Sequence, residues 1–250
     1  MPPIIEIKSL NKSFDTVSAV KDLSFNVEQG EIFGLVGPDG AGKTTTVRMT
    51  AGVMGLDSGS ISVKGFDVEK QTEQVKNVIG YMPQRFSLYD DLSVEENIDF
   101  FAELYGIKRS AREEMKKELY GFSHLEKFKT RPAGKLSGGM QKKLALTCAL
   151  INIPSVLLLD EPTIGVDPLS RQELWEMLLK LNKEKNVTIL VTTSYMDEIE
   201  RCNRVGMLYN GSLLMVEKLE ALLAKGERFE DVFIREIEKV KGTKTVDSRQ

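Results

Sequence analysis

Residues 37–44 read Gly37-Pro38-Asp39-Gly40-Ala41-Gly42-Lys43-Thr44, with Thr45 following, and fit the pattern G-x-x-x-x-G-K-[ST]. Glycines at those positions let backbone N–H groups converge on phosphate oxygens, and a helix opening there adds a favourable dipole. A lysine at position 43 can bridge the outer phosphates of a nucleoside triphosphate, and the Thr44 hydroxyl can hold Mg²⁺. A second chemical element is Val156-Leu157-Leu158-Leu159-Asp160-Glu161, an apolar run ending in two acids. Asp160 there suits a water-linked Mg²⁺ contact, and Glu161 suits the polarising of an attacking water.

These residues need elements to hold them. The chain of 250 residues is 41% hydrophobic and 28% charged, which excludes disorder and leaves room for a substantial core. A net charge of −3 recommends neither nucleic acid nor an anionic surface as partner. The start, MPPIIEIKSL, lacks the basic and apolar regions of an export leader, and the longest mostly apolar run, 144–159, is interrupted and too short to span a bilayer. Cys148 and Cys202 form no CxxC pair and read as packing thiols in a reducing compartment.

Short alternating or β-branched runs at 4–8, 19–27 and 31–37 predict strands, and 44–53 predicts the helix that the phosphate loop requires. Strand character returns in SISVKGF and VIGYM. Between 93 and 152 the period becomes helical, with Ser93 and Ser110 as expected N-caps. Residues 138–151 predict a helix feeding the buried strand 156–160, followed by a helix over 169–184, a strand over 187–192, a short helix and two last strands. Trp175, Leu174, Leu178 and Leu181 share one face of the 169–184 helix. The pairs Lys116–Lys117 and Lys142–Lys143 are expected on solvated faces, and His124 at the surface or in packing. The pattern is an α/β fold: a P-loop core of mostly parallel sheet, an N-terminal antiparallel β subdomain and a helical subdomain inserted at about 85–152. Residues 1–226 form the main body, and 227–250 a terminal helix with a frayed tail beginning near residue 240.

Beyond those two motifs, Leu136-Ser137-Gly138-Gly139-Met140 resembles the signature motif of ABC ATPases, usually LSGGQ. Gln84 in YMPQ resembles the family's Q-loop glutamine, Gly165-Val166-Asp167 its D-loop, and Phe14, 23 residues before Gly37, its adenine-stacking aromatic. The resemblance runs from about residue 4 to 216. It implies an ATP-binding subunit that binds Mg-ATP, with Thr44, Gln84 and Asp160 on the metal. It also implies head-to-tail pairing with a second ATPase domain, identical or different, so that Ser137, Gly138 and Gly139 face the partner's ATP. The driven partner would be an integral membrane permease, contacted by the stretch after Gln84, which places the chain in the cytoplasm on the inner face of the membrane.

Three departures qualify that picture. Ser194 occupies the position of the family's switch histidine in Thr192-Thr193-Ser194-Tyr195-Met196-Asp197-Glu198, and a serine hydroxyl reaches less far. Asp39 replaces a common Asn, and Met140 a Gln. The wording GPDGAGKTT, YMPQRFSLYDDLSVEEN, LSGGM and TTSYMDE is similar to the first ATPase half of bacterial tandem drug-export ATPases, in which the second half carries the histidine. The alternatives are a catalytically degenerate, ATP-clamping subunit and a soluble ABC ATPase of repair or translation. Only 51 residues separate Gln84 from Leu136, which leaves no room for the long coiled coil of the repair members.

Overall fold

The structure, a computed structural model of the chain, describes residues 2–85, 88–223, 226 and 228–247. Two sheets carry it. The first joins β1 (Ile5–Phe14), β2 (Val17–Val27), β4 (Ser58–Val63) and β5 (Phe66–Asp67) in antiparallel order β2-β1-β4-β5. The second joins β3 (Ile32–Val36), β6 (Ile79–Met82), β7 (Val156–Asp160), β8 (Thr188–Thr193), β9 (Arg204–Tyr209) and β10 (Ser212–Lys218) in the order β10-β9-β3-β8-β7-β6. All its pairings are parallel except β9 with β10.

Both faces of the second sheet are covered, which is why its strands read as unbroken apolar runs. Ile32, Val36, Leu157, Leu159, Ile189 and Val191 enter one hydrophobic core. Their alternates Phe33, Leu35, Val156, Leu158 and Leu190 enter another, shared with the antiparallel sheet. The phosphate-loop helix α1 (Lys43–Thr50) packs on the second core through Val47 and Met49, and α2 (Thr72–Val78) adds Val75. The first core gathers α3 (Val94–Leu104), α4 (Arg109–Ser123), α5 (Gly138–Ala149), α6 (Pro168–Lys185), α7 (Leu219–Leu223) and α8 (Phe229–Asp247). Trp175 on α6, fully buried, belongs to it, with the Arg201 guanidinium 5.5 Å from its ring centroid and its indole N–H unpartnered.

Ser93 caps α3 in a full capping box with Glu96. Ser110 caps nothing: α4 starts one residue earlier, with Lys108 at the N-cap position. The helix α8 continues to Asp247, past the point where a frayed tail was expected. The lysine expectations need correction too. Lys117 is exposed, but Lys116 is buried, neutralised by Glu95, Asp99 and Glu113 from two helices. Lys143 is buried against Glu173, 2.7 Å away. His124 is exposed and ends α4 in a left-handed conformation. Among the described residues no helix is long and apolar enough to cross a membrane.

Candidate functional site

The loop between β3 and α1 wraps the end of the parallel sheet. Gly42 has φ 103°, a conformation that strains any L side chain, and it serves as the N-cap of α1 without a side-chain cap. The first-turn N–H groups of this helix are therefore left for an incoming acceptor. Phe14, Asp39, Gly40, Ala41, Gly42, Lys43, Thr44, Thr45, Gln84 and Glu161 line one cavity of about 770 Å³ here. Phe14 is exposed at its rim, with Lys12 Nζ 5.6 Å from the ring centroid. Asp39 is exposed, so its carboxylate meets water instead of a buried phosphate cradle.

Lys43 is only 4% exposed, and its ammonium is fully engaged. It donates to the carbonyls of Gly37 (2.7 Å) and Pro38 (3.1 Å) and to Ser194 Oγ (3.0 Å), and lies 3.1 Å from Glu161 Oε1. Ser194 in turn donates to Glu161 Oε1 at 3.0 Å, and the Gln84 amide donates to Glu161 Oε2 at 3.0 Å. The serine thus touches both the lysine and the carboxylate directly. Four residues from four separated segments, the phosphate loop, the end of β6, the end of β7 and the end of β8, meet within one hydrogen-bonded cluster. A buried charge needs such a partner, and here cation and anion satisfy each other.

Glu161 itself adopts a left-handed backbone (φ 47°), just past the last residue of β7. Its N–H is held by the Thr192 hydroxyl at 2.9 Å, a bond that fixes where the strand stops and the carboxylate turns. Thr192 Oγ1 also donates to Asp160 Oδ1 at 3.0 Å, and Thr44 Oγ1 donates to the same oxygen at 2.9 Å. Burial raises the Asp160 pKa above the ordinary carboxylate range, with these two hydroxyl bonds opposing it and the Glu161 charge adding to it. Its second oxygen, Oδ2, is buried with no hydrogen-bond partner.

The signature residues lie elsewhere on the surface. Ser137 caps α5 by accepting from the Met140 N–H at 3.3 Å, and Gly138 begins the helix. Gly139 packs so closely on α6 that a Cβ there would run into the Ser170 hydroxyl. Asp167 caps α6 through the Ser170 N–H at 3.0 Å, which holds its carboxyl below the usual range. Gln84, Gly138, Lys142, Ile164 and Gly165 border a second cavity of about 460 Å³ beside the first. Phe86 and Ser87, which follow Arg85 in the stretch expected to meet a membrane partner, lie outside the described residues.

Two contributors escape a reading of the sequence. Thr192 reads as one more β-branched strand residue, and nothing in its surroundings reveals that its hydroxyl braces two acids. Lys142, expected on a solvated face, donates to the Gln84 backbone carbonyl at 3.0 Å. Burial lowers its pKa, against the pull of Asp160 and Glu161. The signal for it was available: a helix reading LALTCALI immediately afterwards has little solvated face to offer.

An open helix N-terminus with a buried lysine, set at the end of a parallel sheet beside paired acids, defines a nucleotide-binding α/β domain. Residues 20–164 match the family described as ABC transporter, and the chain belongs to that family. It is 47% identical over 221 residues to the probable multidrug ABC transporter ATP-binding protein YbhF of Escherichia coli K12, covering 88% of this chain and 38% of that protein. It is 35% identical over 214 residues to the linearmycin resistance ATP-binding protein LnrL of Bacillus subtilis 168, covering 85% and 68%. The chain therefore spans well under half of the first relative's length and about two thirds of the second's. Among solved structures, an ATP-binding subunit of an ABC transporter superposes with TM-score 0.83 at 28% identity, over 94% of this chain and 99% of that one. A dimeric post-hydrolysis state of the ATP-binding cassette MJ0796 with ADP and Pi gives 0.78 at 25% identity, over 86% and 98%.

Proposed function

We propose that this chain is the ATP-binding subunit, or one ATPase half, of an exporter: it binds Mg-ATP, pairs with a second ATPase domain, and drives a membrane permease. The observation that carries the reading is the Lys43 cluster. A buried ammonium held by two loop carbonyls, beside uncapped helix N–H groups, is built to receive a polyphosphate. The relatives support export, since YbhF is named a probable multidrug ABC transporter ATP-binding protein and LnrL a linearmycin resistance ATP-binding protein.

The metal follows from the donors. Asp160, whose Oδ2 is orphaned, Thr44 and Gln84 would hold it through a carboxylate, a hydroxyl and an amide oxygen, an all-oxygen donor set that suits Mg²⁺. When bound, Mg²⁺ neutralises developing charge on the phosphates. The chain's own residues do the rest. Incoming phosphates displace Glu161 from Lys43, which frees the carboxylate to accept a proton from the attacking water. Gln84, already on Glu161, orients that carboxylate, and Phe14 stacks on the base at the rim. Ser137, Gly138 and Gly139 serve the partner's nucleotide.

Lys43→Ala should abolish ATP binding while the chain still folds, with its melting point lowered because Glu161 loses its buried cation, as read by calorimetric titration alongside a melting curve. Micromolar affinity in that variant would overturn the assignment of the site. Ser194 favours a second reading, an ATP clamp that turns over slowly unless its partner carries a histidine there. Steady-state turnover with and without that partner separates the two.

A further inference from the structure

One group of charges lies behind the site without touching it. Arg171, in the first turn of α6, points its guanidinium at the segment after β8. Its NH2 lies 2.8 Å from Asp197 Oδ2 and its Nε 3.3 Å from Glu198 Oε1, and the Tyr195 ring lies 4.2 Å from the guanidinium carbon. Asp197 is largely solvated, but Glu198 is only 1% exposed. The other Glu198 oxygen accepts the Thr193 hydroxyl at 2.7 Å, and that hydroxyl also accepts the Tyr195 N–H at 3.0 Å. Both neighbours of Ser194 are thereby fixed, one through Glu198 and one through the arginine stack.

We propose that Arg171 is a positioning residue: through Glu198, Thr193 and Tyr195 it holds Ser194 against Lys43 and Glu161, and it ties that placement to the start of α6. The start of α6 is itself stiff. The Arg171 N–H bonds to the Asp167 carbonyl at 2.9 Å, Asp167 caps the next residues, and Ser170 leaves no space beyond Gly139 of α5. One short strut thus joins the signature helix, which faces one nucleotide, to the Ser194 segment, which faces the other. A buried carboxylate such as Glu198 is costly without a cationic partner, so its retention here demands the arginine. The proposal rests on the ATPase reading given above.

The test is a pair of backgrounds, assayed by single-turnover ATP cleavage with the full chain in excess and by ATP affinity. In a Ser194→His chain, Arg171→Met should erase most of the gain that the histidine brings, roughly ten- to a hundredfold, the scale of a misplaced catalytic group. In a Ser194→Ala chain the same substitution should change nothing further, because no side chain remains to be positioned. ATP affinity should hold throughout, and Arg171→Lys should restore part of the rate. Should Arg171→Met fail to fold, Arg171→Lys carries the comparison, since it keeps the charge but cannot grip both carboxylates through a planar fork. Equal losses in both backgrounds, or none in either, would overturn the strut. Absence of ATP binding by the unsubstituted chain would instead overturn the reading of the site.

Discussion

At the scale of single residues, the decisive atom is Ser194 Oγ. Its residue type is plain in the sequence, and so is the histidine it replaces. What the sequence cannot convey is that a short side chain still reaches Lys43 and Glu161, because Thr193 and the end of β8 bring the backbone close enough. Those contacts lie within the chain; the reach that a histidine would have is toward the terminal phosphate, one side-chain length farther on. A hydroxyl nevertheless offers one donor, and here it spends that donor on Glu161. Replacing it by histidine should raise ATP turnover of the isolated chain by roughly 10²-fold, the size attached to one preorganised donor. Steady-state phosphate release measures it, and fast turnover unchanged by the histidine would show that the serine is no handicap.

Among the elements, legibility tracked how local the cause was. The capping box of α3 is written in Ser93 and Glu96, and the buried strand β7 in an unbroken VLLLD. Ser110 shows where the same rule misleads: a good cap residue competes with the chain's arrival from Gly106-Ile107, and the helix begins before it. The helix α2 and the short α7 left no clear sequence signal, since neither is long enough to show a period. Lys116 and Lys143 are buried against expectation because a lysine's burial depends on carboxylates from other helices, which periodicity does not locate. The cap itself gives a clean test. Ser93→Ala removes one side-chain bond from an exposed helix start and should cost about 1 kcal/mol. In a chain of this size that lowers the thermal midpoint by roughly 2–4 °C, provided unfolding is reversible. No change in the midpoint would mean that water replaces the cap.

For the whole molecule, the Lys43 cluster lies at the sheet end and the signature at the start of α5, with a cavity bordered by Gln84 and Gly138 between their elements. Lys43 and Glu161 are closed on each other, while Ser137 spends its oxygen on its own helix. In the proposed pair, a partner's signature would complete the Lys43 site and this chain's Ser137 the partner's. That relation comes from the family resemblance and not from any pattern in the residues, which is why spacing alone would have given a nucleotide-binding fold and no pairing. Glu161→Gln should favour the paired, ATP-bound form, for two physical reasons. It removes the carboxylate that would polarise water, and it removes the charge that competes with phosphate for Lys43. Sedimentation in the presence of ATP and Mg²⁺ reads the outcome; a variant that associates no more tightly than the unsubstituted chain would remove Glu161 from that role.

The single tryptophan gives this arrangement an optical handle. Trp175 sits dry inside α6, one turn beyond Arg171, with a guanidinium from the segment after β8 poised over its indole. Its emission is therefore expected toward the blue, and a moving cation beside the ring would alter its intensity. Nucleotide binding that shifts the Ser194 segment by a fraction of an ångström would become visible as a change in native fluorescence, with no label attached.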